Sequence, residues 1–345
     1  MLLEGIYLPL TTPFYPDGRL YLRKLEHNVD RYSRTPAAGL LLLGRTGEGD
    51  SLTDEETRLA LTSAISVAGK EKVMVAAAGR ESVFATLQIA EMAATAGYDA
   101  IAVKAPIFAH DPHMRIETLT YFQAVADRSP LPVVVLSEGL PVDLLGELAG
   151  HNRIIGAVDA DPTPTRLAEL AELTRAVSRE VTVTTVFAAA TGRMLRHPEP
   201  TAGAFVSAEI LSGGGTALAV APPVPAIKTR TKKVGFQVLA GQAAKMLEAW
   251  KAGATGALPR LGACAPQACC EVWQAHKDGD PALAEEKQQR VLQAAERMEG
   301  WRGVAAIKHG CDLNGYYGGR PRLPLIALNG EERAMVEQEL AGLKN

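Results

Sequence analysis

Short apolar runs that alternate with longer amphipathic stretches constrain this chain more than any other feature. The runs are four to six residues long and the stretches between them ten to fifteen, the pattern of repeated strand–helix units feeding a parallel sheet. Residues 5–11 (GIYLPLT) read as a first strand, followed by a turn at Pro16-Asp17-Gly18 and a helix carrying Leu20, Leu22, Leu25 and Val29. The run AGLLLLG (38–44) has the continuous apolarity of a strand buried on both faces. Beyond it, Thr53 and Glu56 have the spacing of a capping box that opens a helix. Further strands are expected over 72–78, 100–105, 133–137 and 154–158, separated by helices over 82–96, 115–128 and 142–150.

That makes six units by about residue 175, and FQVLAG (236–241) with GALPRL (256–261) supplies a seventh and an eighth strand. Eight such units predict an α/β fold, a closed (β/α)8 TIM barrel, which takes some 250 residues as one domain. After residue 266 the strand pattern stops, and amphipathic helices are expected over 266–277, 281–300 and 331–343. The expected division is therefore a barrel over 1–265 and a C-terminal helical domain over 266–345. One stretch is too long. Between Val158 and Phe236 lie 77 residues, where a helical crossover needs roughly 20–25. The surplus falls at about 180–234. It includes the β-like run Val181–Phe187, the Gly213–Gly215 and Pro222–Pro225 stretches and the basic Lys228–Lys233. A surface excursion or extra hairpin would account for it, and so would a lid or partner-binding element.

Composition narrows the partners. With 36 Lys and Arg against 39 Asp and Glu, the chain has no electrostatic footprint for nucleic acid or an anionic membrane. No apolar run reaches the 18 or so residues of a membrane span, and the N-terminus lacks a leader pattern, so a cytoplasmic protein is expected. Cys264, Cys269, Cys270 and Cys311 match neither a disulfide framework nor CxxC zinc spacing, and read as reduced thiols. GxGxxG, GxxxxGK[ST], HxH and HExxH motifs are all missing, so neither a metal nor a cofactor is expected.

The ordered motifs are more specific. TTPF (Thr11–Phe14), the turn Gly44-Arg45-Thr46-Gly47-Glu48 with LTDEE beyond it, IIGAVDA (154–160), FQVLAG, Lys308 and RLPL (322–325) together resemble the dihydrodipicolinate synthase / N-acetylneuraminate lyase family. The resemblance runs from about residue 5 to 343 and implies a (β/α)8 barrel with C-terminal helices, assembled as a homodimer or homotetramer. It further implies Schiff-base chemistry on pyruvate or a related 2-oxo acid, through a desolvated lysine on the sixth strand.

Carried over residue by residue, that chemistry fails at several positions. Val158 stands where the family's GIKEA motif has its lysine. Leu136 stands where its YNxP motif has the proton-relay tyrosine, and Arg45 where GTTGE has its first threonine; Thr46, Gly47 and Glu48 are retained. Ile107-Phe108 replace paired tyrosines, and no arginine occurs between Leu131 and Asn152 to take the carboxylate of a second substrate. Lys308 matches a lysine that the resemblance marks as structural.

Lys104 is a candidate replacement nucleophile. It ends the fourth strand, where barrel enzymes place catalytic groups, and alternation sets it on the face opposite Val103 and Ala105. It could equally pair with Glu48, Glu138 or Asp159, or snorkel at the rim. Thr46 is a second catalytic candidate, or a cap for backbone groups of its turn. Strand ends add Thr12, Arg45, Thr46, Glu48, Ser137, Glu138, Asp159, Asp161 and Arg260 as substrate-binding candidates, with Arg45 the best bidentate partner for a carboxylate. Two functions follow as expectations: an enzyme of the aldolase-lyase superfamily with changed chemistry on a small 2-oxo acid or sugar acid, or a catalytically inactive descendant serving as a binding or assembly module. The first predicts an open polar pocket at the strand ends; the second tolerates one plugged by Val158, Leu136 and Phe108.

Overall fold

The computed structural model describes residues 1–196, 227–300 and 302–343. Eight parallel strands close a barrel: β1 (Gly5–Pro9), β2 (Gly39–Leu42), β3 (Val73–Ala77), β4 (Ala100–Lys104), β5 (Val133–Leu136), β6 (Ile154–Asp159), β9 (Gln237–Ala240) and β10 (Gly256–Ala257). Between β6 and β9 the chain inserts β7 (Arg179–Thr184) and β8 (Thr229–Val234), an antiparallel pair outside the barrel. Alternate residues of each barrel strand serve two apolar layers, which is why the strands read as unbroken hydrophobic runs. Tyr7, Leu41, Val75, Val134, Val158 and Leu239 fill the interior, while Leu8, Leu40, Met74, Ile101 and Val135 pack outward on the helices. Tyr7 needs a glycine beside it: a Cβ on Gly39 would come within 2.5 Å of the Tyr7 ring.

The C-terminal helices are Pro266–Lys277, Pro281–Gly300, Val304–Leu313 and Gly330–Leu340. The third of these was absent from the sequence expectation. It is only ten residues long and carries Gly310 in its interior, which weakens the helical signal. The eighth strand is shorter than expected, because Pro259 leads directly into the turn Arg260–Ala263. No helix among the described residues is long and apolar enough to cross a membrane.

Glu299 fastens the helical domain to the barrel. Its buried carboxylate accepts the backbone N–H of Ala243 at 3.1 Å and of Leu261 at 2.8 Å, just beyond β9 and β10. Burial pushes this carboxyl up from its ordinary value of 4.5, against the opposing hydrogen bonds. An acid raised in the folded state takes up protons more readily there than in the unfolded chain, so its contribution to stability falls as pH rises from about 4.5 through the folded-state value. Urea unfolding across that window should therefore show Glu299→Gln gaining relative to wild type as pH rises. A difference that does not change with pH would disprove the assignment.

The described parts of the insertion lie at the N-terminal end of the barrel, away from the strand C-termini. Gly192 donates to Asp99 (2.9 Å), Thr191 to the Lys70 carbonyl (2.5 Å), and Arg179 to the carbonyls of Ala149 and His151 (2.7 and 2.9 Å). Lys232 pairs with Glu4 at 2.7 Å, and Val181 and Val183 pack on Leu2. All of these partners precede barrel strands. The insertion follows helix Pro164–Leu173, and a connection from helix to strand reaches this end of a barrel by topology. The extra hairpin is thus present, although Val186 and Phe187 fall beyond its strand, and no described part of it covers the mouth. The Gly213–Gly215 and Pro222–Pro225 stretches lie outside the described residues.

Candidate active site

At the strand C-termini a cavity of about 360 Å³ is lined by Leu43, Gly44, Arg45, Asp50, Ala77, Gly79, Arg80, Ala102, Lys104, Leu136 and Glu138. Lys104 enters it for a simple reason: Ala100 and Ala102 of the same strand face the barrel interior, and two residues further along, the side chain points the same way. Across three neighbouring strands Lys104 is in register with Leu136, and Leu136 with Val158. These three residues form one tier, with the Cα atoms of Lys104 and Val158 roughly 10 Å apart over two strand spacings.

The Lys104 ammonium pairs with Asp50 Oδ2 at 2.6 Å. Its expected partners Glu48, Glu138 and Asp159 are engaged elsewhere, and Asp50 belongs to the turn Gly49–Ser51, whose path linear spacing does not reveal. Arg45 meets Glu138 at 2.7 Å, with both side chains about two-thirds exposed (68% and 67%). Such a pair contributes about 0–1 kcal/mol to stability and leaves both groups available to a ligand.

Arg80 was not anticipated. It follows Gly79 in the turn after β3, and its backbone is fixed from behind, the N–H donating to Thr86 Oγ1 (2.9 Å) and the carbonyl accepting from the Tyr121 hydroxyl (2.7 Å). Arg80 lines the cavity, and its guanidinium donates to the Gly79 carbonyl at 3.0 Å. The signal in the sequence is position: Arg80 lies three residues beyond β3, at the same end of the barrel as Lys104 at the end of β4. Three cations, Arg45, Arg80 and Lys104, thus face two carboxylates, Asp50 and Glu138, an arrangement that attracts an anion.

The other sequence candidates sit behind this cavity. Asp159 is fully buried and faces away from the interior, held by Arg166 Nε at 2.9 and 3.1 Å. Ser137 donates to the same carboxylate at 3.4 Å, and Asp161 pairs with Lys245. Thr12 is buried and donates to the Gly47 carbonyl at 2.5 Å, and Thr46 is buried in that turn. Arg260 opens the turn beside Glu299. Glu48, left-handed at φ 53°, forms a buried ion pair with Lys308 at 2.5 Å, and its other oxygen accepts the Arg322 N–H at 2.7 Å. Burial lowers the Lys308 pKa, and the Glu48 carboxylate opposes that shift.

Among the described residues no group of three His, Cys, Asp or Glu side chains could hold a metal, and all four cysteines are buried free thiols. The dihydrodipicolinate synthetase family profile matches residues 2–175 and 224–342. The chain belongs to that family. The break in the match falls within the insertion between β6 and β9. The chain is 25% identical over 346 residues to an L-threo-3-deoxy-hexylosonate aldolase of Hypocrea jecorina, covering 97% of this chain and 94% of that one. It is 23% identical over 336 residues to a 4-hydroxy-tetrahydrodipicolinate synthase of an Exiguobacterium species, covering 96% and 94%. Solved family folds superpose along the whole chain. YagE of E. coli K12, a prophage protein crystallised with pyruvate, gives a TM-score of 0.75 at 22% identity, covering 99% of each chain. The dihydrodipicolinate synthase of Aquifex aeolicus gives 0.73 at 18%, covering 99% of this chain and 100% of that one.

Proposed function

We propose that this member of the family binds a small 2-oxo acid or sugar acid at the barrel mouth, without the family's Schiff base on β6. The observation that carries the proposal is the tier of Lys104, Leu136 and Val158: an aliphatic side chain occupies β6 where the resemblance puts the lysine, while the cations gather on β4 and in the turns after β2 and β3. Arg80 anchors the ligand carboxylate, with Arg45 beside it. Exposed Ile107, just beyond β4, with exposed Phe84 and Ile116 in the first turns of the helices that follow β3 and β4, supports assembly as a homodimer or homotetramer, and the composition supports a cytoplasmic location.

Calorimetry should show saturable pyruvate binding, weakened roughly 10–100-fold by Arg80→Ala, the range expected on losing charge-assisted hydrogen bonds. No binding, or an unchanged affinity in the variant, would refute the proposal. A second possibility rests on the same register: Lys104 is close enough to the interior to serve a shared reaction centre from β4. Borohydride reduction with pyruvate, followed by peptide mass spectrometry, separates the two. An adduct on Lys104 establishes a relocated nucleophile; no adduct on any lysine leaves the non-covalent site.

A further inference from the structure

A second cavity, of about 380 Å³, lies outside the barrel between the turn after β1, helix Val304–Leu313 and the start of helix Gly330–Leu340, and shares no lining residue with the mouth. Phe14 and Leu328 give it an apolar wall, and Arg320 and Arg333 both line it. The nearby carboxylates are committed to other cations: Glu48 to Lys308, Glu56 to Arg322 and Glu332 to Arg302. Asp312, the lining carboxylate, accepts the backbone N–H groups of Gly318 (2.8 Å) and Gly319 (3.3 Å). Among the described residues neither Arg320 nor Arg333 has a carboxylate within ion-pair distance. Arg320 is also pre-positioned, because its carbonyl accepts from Lys308 Nζ at 3.1 Å.

Two arginines beyond ion-pair distance of any described carboxylate, outnumbering the single lining carboxylate Asp312 and set against an apolar wall in one concave site, match the recognition of an oxyanion that carries an organic body. We infer that this cavity is a binding site for a small organic anion, a carboxylate or a phosphate monoester, with Arg320 and Arg333 on the charged group and its apolar part on Phe14 and Leu328. The inference is independent of the function proposed for the barrel mouth.

Benzoate and phenyl phosphate serve as probes, measured by calorimetry in the Arg80→Ala background so that the mouth is impaired. At least one should bind at a single saturable site, and the probe that binds distinguishes carboxylate from phosphate. Adding Arg320→Ala and Arg333→Ala, both at exposed positions, should weaken that binding about tenfold or more. Failure of both probes to saturate, or an affinity unchanged by the two arginine substitutions, would overturn the inference. Pyruvate binding at the mouth, measured separately in wild type, tests the other proposal.

Discussion

Replacing Lys308 by methionine should destabilise the fold by roughly 3–5 kcal/mol, the cost of removing one partner from a buried ion pair. Both side chains of the pair are almost wholly buried, Lys308 at 0% and Glu48 at 1% exposure. Removing the ammonium leaves the Glu48 carboxylate enclosed, with the Arg322 N–H as its hydrogen-bond donor and the more distant Arg322 guanidinium, committed to Glu56, as its nearby charge. The double variant Glu48→Gln/Lys308→Met should be less destabilised than the sum of its single variants, since no unpaired buried charge remains. Urea unfolding of the four proteins measures this directly. A Lys308→Met variant within about 1 kcal/mol of wild type would show that the site takes up water instead. The pair also joins the turn that carries Arg45 and Asp50 to helix Val304–Leu313, so ligand affinity at the mouth should fall with stability.

The barrel was legible because its strands are buried on both faces, a burial that leaves continuous apolar runs such as AGLLLLG in the sequence. Helix Val304–Leu313 was not, since ten residues interrupted by Gly310 give too short and too weak a helical pattern. At the site, period-two alternation correctly turned Lys104 inward. The same rule turns Asp159 outward once Val158 faces in, which places it with Arg166 and away from the cavity. The partner of Lys104 could not be read from the chain: Asp50 is more than fifty positions away, and only the folded turn after β2 brings it to 2.6 Å. The insertion's side of the barrel, by contrast, was implicit in chain order, because a surplus that follows a helix falls at the N-terminal end.

Placing a lysine at residue 158 should give the chain a pyruvate adduct that wild type does not form there. Val158 is 7% exposed and packs in the interior cluster with Val134, Leu239 and Leu258, beside Leu136. An amine introduced among these aliphatic groups is desolvated, which favours its neutral, nucleophilic form. Its four-carbon stem lets the nitrogen reach toward the mouth, where Arg45 and Arg80 would hold the carboxylate. Borohydride reduction of Val158→Lys with pyruvate should therefore label the peptide containing residue 158. Aldol turnover should nevertheless stay at background, because Leu136 and Arg45 stand where the family resemblance puts the tyrosine and threonine that relay protons. Val158→Met, which fills the same space without a charge, controls for disruption of the interior. A folded Val158→Lys protein that binds pyruvate yet carries no label at 158 would mean that this tier does not face the bound keto carbon, and would remove the geometric basis for placing the site at the mouth.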